Sequence, residues 1–406
     1  MTIGIIREGK IPPDSRTPLT PEQCLRAKAL FGLDIIVQPS PHRCFSDDEY
    51  RRLGIVVSED LTPCDILFGV KEVPINQLIA GKTYLFFSHT IKKQAYNRKL
   101  LMAILEKRIR LIDYEVLTDE KGQRVIAFGK FAGMVGAHNA VWTWQRRKNL
   151  SPTLPRMYTF PHYEDAVQWY RQYLQLPAVK IVLTGTGRVA NGAAQVLEDM
   201  GIQRVTAQAF LESTFDRAVF AQLSSKEYVR RKDGAPFDKE TFYRQPALFE
   251  SAFLPFAHKA QIFINGIYWD PRAPAFFTLE EMCDDAFSIE VIADVTCDIA
   301  PAASVPSTIR PSTIADPVYG FDPCKGVEVP RHTAGTVDVM AIDNLPNELP
   351  RDASESFGER LIEHVLPELM NPQSEMIRRG TVAIEGQLGP CFQYLSDFVE
   401  AGNSIS

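Results

Sequence analysis

The chain has 406 residues, of which 45% are hydrophobic and 23% are charged. This composition is typical of a globular protein, and the length predicts two or three domains with a substantial core. The formal net charge of −6 argues against a nucleic-acid partner, which usually contacts a concentrated basic face. The sequence has neither an apolar run of about 18 residues nor a signal-peptide layout, so we expect a cytoplasmic protein with no membrane partner.

The cysteines are odd in number and widely scattered. The sequence contains no C-x-x-C pair and no Cys/His cluster with zinc spacing. We therefore expect reduced thiols and no metal site. The seven positions are Cys24, Cys44, Cys64, Cys283, Cys297, Cys324 and Cys391.

Short apolar runs alternate with helical stretches over the first third of the chain. This alternation predicts a parallel sheet covered by helices. Ser46 is the expected N-cap of the second helix. A longer helix is predicted over residues 133–148, followed by a linker. The predicted strands cover residues 2–6, 34–38, 66–70, 84–88 and 110–113, and the helices between them cover 21–30, 46–53 and 93–107.

Two titratable residues follow neighbouring predicted strands of this segment. Lys71 comes after the run at 66–70, and His89 comes after the run at 84–88. The carboxyl ends of parallel strands meet at the edge where α/β proteins bind ligands. A partly buried lysine can act as a base and a histidine as an acid, although a surface lysine and a structural histidine remain alternatives.

Arg16 lies in the loop after the first predicted strand. A guanidinium suits a substrate carboxylate because it can form two parallel charge-assisted hydrogen bonds. A solvated loop arginine is the alternative interpretation.

A glycine turn, Gly185-Thr-Gly-Arg-Val-Ala190, lies between a predicted buried strand and a predicted helix. The G-x-G-x-x-A spacing predicts a dinucleotide site, because the turn lets the backbone approach a pyrophosphate at the helix N-terminus. A purely structural turn is the alternative. Further strands are predicted at 204–207, 262–265 and 289–294, an irregular insertion at 223–257, a loop at 300–331 and a helix at 353–370.

The C-terminal segment is apolar and must bury one face. Its return to the first domain is the economical solution. We therefore expect an α/β fold with two Rossmann-like domains, each a parallel sheet flanked by helices, and a cleft between them. The substrate domain would be discontinuous, with residues 1–140 and 340–406, and the dinucleotide-binding domain would cover 141–339.

Eight blocks in this order along nearly the whole chain resemble the alanine dehydrogenase/saccharopine dehydrogenase superfamily. Within it, the blocks resemble the saccharopine dehydrogenase (L-lysine-forming) and lysine–2-oxoglutarate reductase branch more than alanine dehydrogenase. The blocks are Arg16-Thr-Pro-Leu-Thr-Pro21, Gly69-Val-Lys-Glu-Val-Pro74, Phe87-Ser-His89, Ala127-Phe-Gly-Lys-Phe-Ala-Gly133, the glycine turn, Asn265-Gly-Ile-Tyr-Trp269, Asp294-Val-Thr-Cys-Asp298 and Ile342-Asp-Asn-Leu-Pro346.

The resemblance implies an NAD- or NADP-dependent enzyme that interconverts saccharopine with lysine and 2-oxoglutarate. Lys71 would be the general base and His89 the general acid. An alanine dehydrogenase-like enzyme and a non-catalytic nucleotide-binding protein remain alternatives, and the oligomeric state is left open. The implied substrate residues are Arg16, Glu72, Gln94, Phe128, Thr296, Cys297 and Asp298. The implied cofactor residues are Arg124, Gly185, Gly187, Arg188, Tyr268, Val295, Ile342, Asp343, Asn344 and Leu345.

The choice between NAD and NADP stays open in the sequence. Residues 205–209, where we expect the end of the second strand of the nucleotide domain, contain no acid for a ribose 2′-hydroxyl. Glu212 comes slightly late for that role. Arg188 or the basic run Arg230–Lys232 could meet a 2′-phosphate instead.

Overall fold

The computed structural model describes residues 1–400, which divide into two compact units. The first comprises Met1–Phe128 and Pro350–Ser406, described to residue 400, and the second comprises Gly129–Leu349. The first break lies at 128/129 rather than at the expected 140/141, because Gly129–Arg147 is one continuous helix of the second unit. The second break follows Leu349. The residue before it, Glu348, belongs to the second unit, and its buried carboxylate accepts a hydrogen bond from Asn139 on that helix.

The N-terminal part of the first unit alternates strands with helices. Its six strands pair in parallel in the order β6-β5-β4-β1-β2-β3. The strands are β1 (Thr2–Ile5), β2 (Asp34–Val37), β3 (Val56–Val57), β4 (Ile66–Phe68), β5 (Thr83–Phe86) and β6 (Arg110–Asp113), and the helices are α1 (Pro21–Phe31), α2 (Asp47–Arg52) and α3 (Arg98–Glu106).

Local capping starts the first two helices. Thr20 and Gln23 form a capping box at α1, with Pro21 at the first helical position. Ser46 and Glu49 form a second capping box at α2, so the predicted N-cap at Ser46 is confirmed. These side chains satisfy backbone N–H groups that have no partner inside the helix.

The second unit is built on an eight-stranded sheet in the order β15-β14-β16-β13-β12-β7-β9-β8. Six neighbouring strands, β16-β13-β12-β7-β9-β8, pair in parallel, and β14 and β15 add an antiparallel edge next to β16. The helices are α4 (Gly129–Arg147), α5 (Tyr163–Tyr173), α6 (Arg188–Asp199), α7 (Ala207–Glu212), α8 (Ser225–Tyr228), α9 (Lys239–Arg244), α10 (Leu254–Ala257) and α11 (Leu279–Met282). The strands are β7 (Lys180–Thr184), β8 (Gln203–Arg204), β9 (Val219–Leu223), β10 (Val229–Arg231), β11 (Phe249–Ser251), β12 (Ile262–Asn265), β13 (Val291–Asp294), β14 (Tyr319–Asp322), β15 (Val327–Val329) and β16 (Val337–Met340).

Three predictions made from the sequence differ from the secondary structure of the second unit. The strand expected at 204–207 is shorter and ends at Arg204, because Thr206 caps α7. The insertion at 223–257 holds the β10–β11 hairpin, which is packed on a cluster of buried phenylalanines. The stretch at 300–331 holds β14 and β15, since cross-strand pairing on β16 overrides its turn-forming composition.

Cys283 and Cys324 form a disulfide. The expectation that all seven cysteines are reduced is therefore wrong in this structure. The two residues are 41 positions apart, and their Cα atoms are brought to 5.1 Å by α11 and the β14–β15 turn. Sequence spacing alone contained no sign of this approach.

The chain then returns to the first unit, where β17 pairs antiparallel with β6 and with β18. A π-helical turn, Leu361–Val365, interrupts the helix expected at 353–370. Pro367 lies just after this turn and lacks the N–H that a regular helix would use. The elements of this segment are α12 (Pro350–Arg360), α13 (Leu366–Met370), α14 (Glu375–Gly380), β17 (Thr381–Ile384), β18 (Gln387–Leu388) and α15 (Ser396–Glu400).

The predicted α/β class, with two largely parallel sheets flanked by helices, is confirmed. Each sheet is buried between helices, and strands such as β4 and β12 are buried at every position. Within residues 1–400, no helix combines the length and apolarity needed to cross a bilayer.

Candidate active site

Lys71 and His89 follow the carboxyl ends of two paired strands in the first unit. Strand β4 leads to Lys71 and β5 leads to His89, and the two strands are parallel, with Phe68 opposite Leu85. The sheet therefore places both residues at the same edge, as the sequence predicted. Parallel α/β sheets bind ligands at this edge.

His89 is held by a carboxylate. Its Nδ1 lies 2.5 Å from Oε1 of Glu72, whose other oxygen accepts a bond from Nζ of Lys10 at 3.0 Å. Burial alone would raise the pKa of Glu72, but the hydrogen bond and charge of His89, together with Lys10, lower it to about 2. Glu72 is thus a permanent anion that orients the imidazole through Nδ1 and turns Nε2 away from itself.

The backbone at His89 adopts a left-handed conformation, with φ of 53°. This conformation is uncommon for a residue other than glycine and is often found at functional sites. It lets the chain turn directly from β5 into the short 3-10 helix Thr90–Lys92. The turn keeps the imidazole at the end of the sheet.

Lys71 is largely withdrawn from solvent. Burial, followed by the charges of Arg16 and Lys10, lowers its pKa from the ordinary 10.5. A larger fraction of the side chain is therefore uncharged near neutral pH than for an exposed lysine. An uncharged amine is what a general base requires.

Glu8 is a partly buried carboxyl that the sequence analysis missed. Its two oxygens accept the backbone N–H groups of Val70 and Lys71 at 2.7 and 2.8 Å. Burial and the nearby Asp14 raise its pKa to about 8. Glu8 follows β1, which pairs with β4, so its position on the same sheet edge was a signal that could have identified it.

Arg16 is only 3% exposed, so the alternative of a solvated loop arginine is wrong. Two hydrogen bonds join its guanidinium to Asp14, at 2.9 and 2.6 Å. Its guanidinium carbon lies 4.2 Å from the centre of the Phe128 ring, which stacks on Phe357. A cation fixed in this way is well suited to bind a substrate carboxylate.

Two other predicted residues lie in exposed parts of the first unit. Gln94 precedes a short 3-10 helix and accepts a hydrogen bond from the Tyr96 hydroxyl at 2.6 Å. Arg124 lies 3.4 Å from Glu115, which also binds Lys92 at 3.0 Å. Glu115 is a further carboxylate that the sequence analysis did not single out.

The glycine turn in the second unit connects β7 to α6. Gly185 has φ of 102°, and a Cβ there would lie 2.7 Å from the carbonyl oxygen of Gly266, so only glycine fits. Gly187 is the N-cap of the twelve-residue α6, and a Cβ there would meet no protein atom within 4 Å. At Gly185 the turn therefore packs tightly against other backbone, whereas the space beside Gly187 is empty of protein atoms.

A cavity of about 600 Å³ adjoins this turn within the second unit. Gly185 and Gly187 form part of its wall, and the predicted residue Tyr268 lies at its mouth, 96% exposed. Further parts of the wall come from the segment that follows β12, which includes Asp270, and from the end of β9 and the insertion. The end of β9 and the insertion contribute, among others, Ser224, Ser225, Lys226, Tyr228, Phe237, Phe242 and Tyr243. An open glycine turn at a helix N-terminus beside a cavity of this size fits a dinucleotide.

Asp294 ends β13 and organises the turn at 294–298. Its oxygens accept bonds from Asn265 at 2.9 Å and from Thr308 at 2.7 Å, and from the Cys297 N–H at 3.2 Å. Burial raises the pKa of Asp294 to about 6. Thr296 donates its hydroxyl to the carbonyl oxygen of Ile267 at 2.8 Å, so the turn is tied to the strand end that precedes Tyr268.

Cys297 has none of the features of an activated nucleophile. Burial raises the pKa of its thiol to about 12, and its Sγ lies 3.2 Å from the carbonyl oxygen of Ala341. The contact also shows that the turn at 294–298 lies beside the segment that follows β16.

That segment contains the last predicted cofactor residues, Ile342 to Leu345. Ile342 and Leu345 are buried, whereas Asp343 is exposed, and β16 is paired in parallel with β13. Most of the predicted site residues of the second unit therefore follow strands that end at the carboxyl edge of its sheet. They are the glycine turn with Arg188, Tyr268, the residues from Val295 to Asp298, and the segment from Ile342 through Asn344 to Leu345. Arg124 is the predicted cofactor residue that belongs to the first unit.

The expected location for a ribose-binding acid, residues 205–209, is wrong. Strand β8 lies at the sheet edge, and β9 is the strand that pairs with β7. Residues 207–212 form helix α7, and Arg230 and Arg231 are paired with Glu250 and Asp233. The residues beside the glycine turn are those that follow β9, because the Gly185 N–H donates to Leu223 at 2.9 Å.

Residues 4–135 match the family model described as the alanine dehydrogenase/PNT N-terminal domain. Over 378 residues the chain is 30% identical to saccharopine dehydrogenase [NAD(+), L-lysine-forming] of Emericella nidulans, covering 87% of this chain and 89% of that protein. The chain belongs to the alanine dehydrogenase/saccharopine dehydrogenase superfamily, in its saccharopine dehydrogenase branch. The resemblance drawn from the sequence blocks is confirmed.

A further relative is similar to the chain in sequence, and a solved structure is similar to it in fold. The chain is 29% identical over 440 residues to the mitochondrial alpha-aminoadipic semialdehyde synthase of Mus musculus, covering 97% of this chain and 47% of that protein. The chain thus spans about half the length of the synthase relatives that it matches. A solved L-alanine dehydrogenase has the same fold, with a TM-score of 0.67, 16% identity and coverage of 98% of this chain and all of the other.

Proposed function

We propose that this protein is a nicotinamide-dependent saccharopine dehydrogenase of the lysine-forming type, which also runs in reverse as a lysine–2-oxoglutarate reductase. The observation that carries the proposal is one sheet edge with Lys71 and the His89–Glu72 pair, beside a buried Arg16 whose charge lowers the pKa of Lys71. A non-catalytic nucleotide-binding protein would need the glycine turn but not this acid–base group. The dehydrogenase relatives support the same class of chemistry.

In the saccharopine-oxidising direction, uncharged Lys71 accepts the proton of the substrate's secondary amine. A nicotinamide cofactor held at the glycine turn from Gly185 to Gly187 would supply the acceptor for the hydride that leaves the adjacent carbon. Removal of the proton and the hydride leaves a carbon–nitrogen double bond in the substrate. The lowered pKa of Lys71 makes it competent for the first of these transfers.

His89 assists the hydrolysis of that imine. Water adds to the carbon, and the resulting carbinolamine breaks its carbon–nitrogen bond as the nitrogen is protonated. The products are lysine and 2-oxoglutarate. Glu72 holds the ring through Nδ1, so Nε2 carries the proton between water and the departing amine.

Arg16 binds a substrate carboxylate in this proposal. Saccharopine carries three carboxylates and two amines, so its site needs several cations and some compensating acids. Lys92 and Lys93 follow His89, where they are paired with Glu115 and Asp397. They could supply positive charge to the substrate by exchanging these partners, and Glu72 supplies negative charge. We also propose that the first unit holds the substrate groups and that the second unit holds the cofactor at the glycine turn.

A panel of substrates with both reduced cofactors tests the proposal. Lysine plus 2-oxoglutarate is compared with pyruvate plus ammonium by following the absorbance of NADH and NADPH. Turnover with lysine plus 2-oxoglutarate supports the proposal, and mass spectrometry should detect saccharopine. Turnover only with pyruvate and ammonium would favour an alanine dehydrogenase-like enzyme, and cofactor binding without turnover on either pair would favour a non-catalytic protein.

A further inference from the structure

The end of strand β9 determines which adenosine ribose the second unit accepts. In dinucleotide-binding sheets, the strand beside the glycine-turn strand ends next to the ribose, and an acid there holds the 2′-hydroxyl of NAD. Here that strand is β9, which pairs with β7 from Val219 to Leu223. We infer that Ser224, Ser225 and Lys226, which follow it, form a site for a ribose 2′-phosphate. This inference rests on the cofactor site of the proposed function.

Two hydrogen bonds fix β9 against the glycine turn. The N–H of Gly185 donates to the carbonyl oxygen of Leu223 at 2.9 Å, and Nε2 of Gln222 donates to the carbonyl oxygen of Gly185, also at 2.9 Å. The residues after Leu223 therefore start beside the turn. Ser224, Ser225 and Lys226 line the same cavity as Gly185 and Gly187.

The acid nearest to this strand end in sequence is already engaged. One oxygen of Glu227 accepts the N–H and the hydroxyl of Ser224 at 2.8 and 2.5 Å, and the other lies 3.4 Å from Nζ of Lys226. Glu227 is not among the described residues that line the cavity. The carboxylate that does line it, Asp270, is paired with Arg272 at 2.6 Å.

Positive charge and hydroxyl groups remain at the cavity wall. Lys226 and Lys239 both line it, and the side chain of Lys226 is 66% exposed. A 2′-phosphate carries strong acceptor oxygens that the Ser225 hydroxyl and the ammonium of Lys226 can bind through charge-assisted hydrogen bonds. Lys226 would exchange its 3.4 Å contact with Glu227 for this bond, whereas the Ser224 hydroxyl stays on Glu227. A 2′-hydroxyl would find no free carboxylate here among the described residues, so a cofactor with a 2′-phosphate is favoured.

Adenosine fragments test this inference without any catalytic step. Isothermal titration of the full chain with 2′,5′-ADP and 5′-AMP compares ligands that differ by the 2′-phosphate. We expect 2′,5′-ADP to bind about tenfold more tightly or better at low salt, and the difference to shrink as salt rises. Equal affinities, or tighter binding of 5′-AMP, would overturn the inference.

Lys226→Ala should weaken binding of 2′,5′-ADP about tenfold and leave binding of 5′-AMP nearly unchanged. Lys259→Ala is the matched control, because it removes the same charge from an exposed residue before β12, at the other end of the sheet. If Lys226→Ala weakens both ligands equally, or if Lys259→Ala has the same effect, Lys226 does not bind the 2′-phosphate.

Ser225→Asp places a carboxylate where NAD-binding proteins hold the ribose. It should reduce the preference for 2′,5′-ADP by repulsion, whereas Ser225→Asn keeps the size without the charge and should preserve most of it. An unchanged preference in Ser225→Asp would contradict the assignment. A protein that prefers 2′,5′-ADP but fails the substrate panel would uphold this inference and refute the proposed reaction. A protein that turns over lysine and 2-oxoglutarate without this preference would uphold the reaction and refute the inference.

Discussion

Nδ1 of His89 lies 2.5 Å from Oε1 of Glu72, and this hydrogen bond connects the ends of two neighbouring parallel strands. Lys71 directly precedes Glu72 in the chain, so the bond ties His89 to the residue next to the other member of the candidate acid–base pair. The backbone N–H of Lys71 is held separately by Glu8 at 2.8 Å. Each strand end is therefore anchored by a carboxylate, and substitutions of these carboxylates should affect different properties.

Glu72→Gln should lower kcat about tenfold or more, because an amide cannot stabilise a positively charged imidazole as a carboxylate does. The pKa of Glu72 is about 2, so the wild-type charge is present at every usual assay pH. Steady-state kinetics of saccharopine oxidation provide the measurement. Glu59→Gln, which removes the exposed partner of Arg7, is the control and should change kcat little. An unchanged kcat in Glu72→Gln would show that the pair has no part in the reaction.

Lys71→Met should lower kcat/KM for saccharopine about 10²- to 10⁴-fold, the usual contribution of a general base. The rate of the wild type should rise with pH as the ammonium loses its proton, with a midpoint below the ordinary lysine value of 10.5, since the pKa of Lys71 is lowered. The variant should lack this rise. Lys99→Met, at an exposed position of α3, serves as the control. A variant within a few-fold of wild type at all pH values would disprove the assignment.

Glu8→Gln should change how stability depends on pH. The pKa of Glu8 is raised from 4.5 to about 8, so its contribution is fully present below about pH 4.5 and is lost as pH rises through 8. Relative to Glu8→Gln, the wild type should therefore lose on the order of 4 kcal/mol of unfolding free energy between pH 5 and 9. Urea unfolding at several pH values provides the test, and a constant difference would mean that Glu8 is ionised throughout.

Gly185→Ala and Gly187→Ala should separate folding from cofactor binding. Gly185→Ala should lower the free energy of unfolding by at least about 1 kcal/mol, because alanine tolerates positive φ poorly and its Cβ would lie 2.7 Å from the Gly266 oxygen. Gly187→Ala should leave the melting temperature almost unchanged, since its Cβ meets no protein atom within 4 Å. Gly187→Ala should nevertheless weaken the binding of a dinucleotide, measured by isothermal titration. Normal binding in a stable Gly187→Ala protein would place the pyrophosphate elsewhere.

Reduction of the disulfide should destabilise the second unit. Cys283 and Cys324 close a loop with a sequence separation of 41, and a link of this length typically contributes about 2–4 kcal/mol. Cys283→Ser should therefore lower the melting temperature measured without reductant, and added reductant should lower that of the wild type. The control is Cys391→Ser, at an exposed free cysteine. Identical melting curves for Cys283→Ser and the wild type would show that the link does not contribute to stability.

Much of the fold and of the candidate site could be predicted from local sequence patterns. The run before Lys71 and the run before His89 are short and apolar with polar ends, and parallel pairing of such runs puts their ends at one edge. The glycine turn is recognisable because its backbone conformation requires glycine at Gly185. Both signals lie within a few residues of the chain, where spacing and residue type are sufficient.

The sequence by itself thus determined the superfamily, the α/β class, and the positions of Lys71, His89 and the glycine turn. Only the tertiary structure decided that β9 rather than β8 lies beside β7, that Cys283 meets Cys324, and that Glu8 and Asp14 support Lys71 and Arg16. The physical reason is that strand order, disulfide pairing and burial depend on contacts between residues distant in the chain. Local propensity and spacing contain no information on which distant segments will pack together.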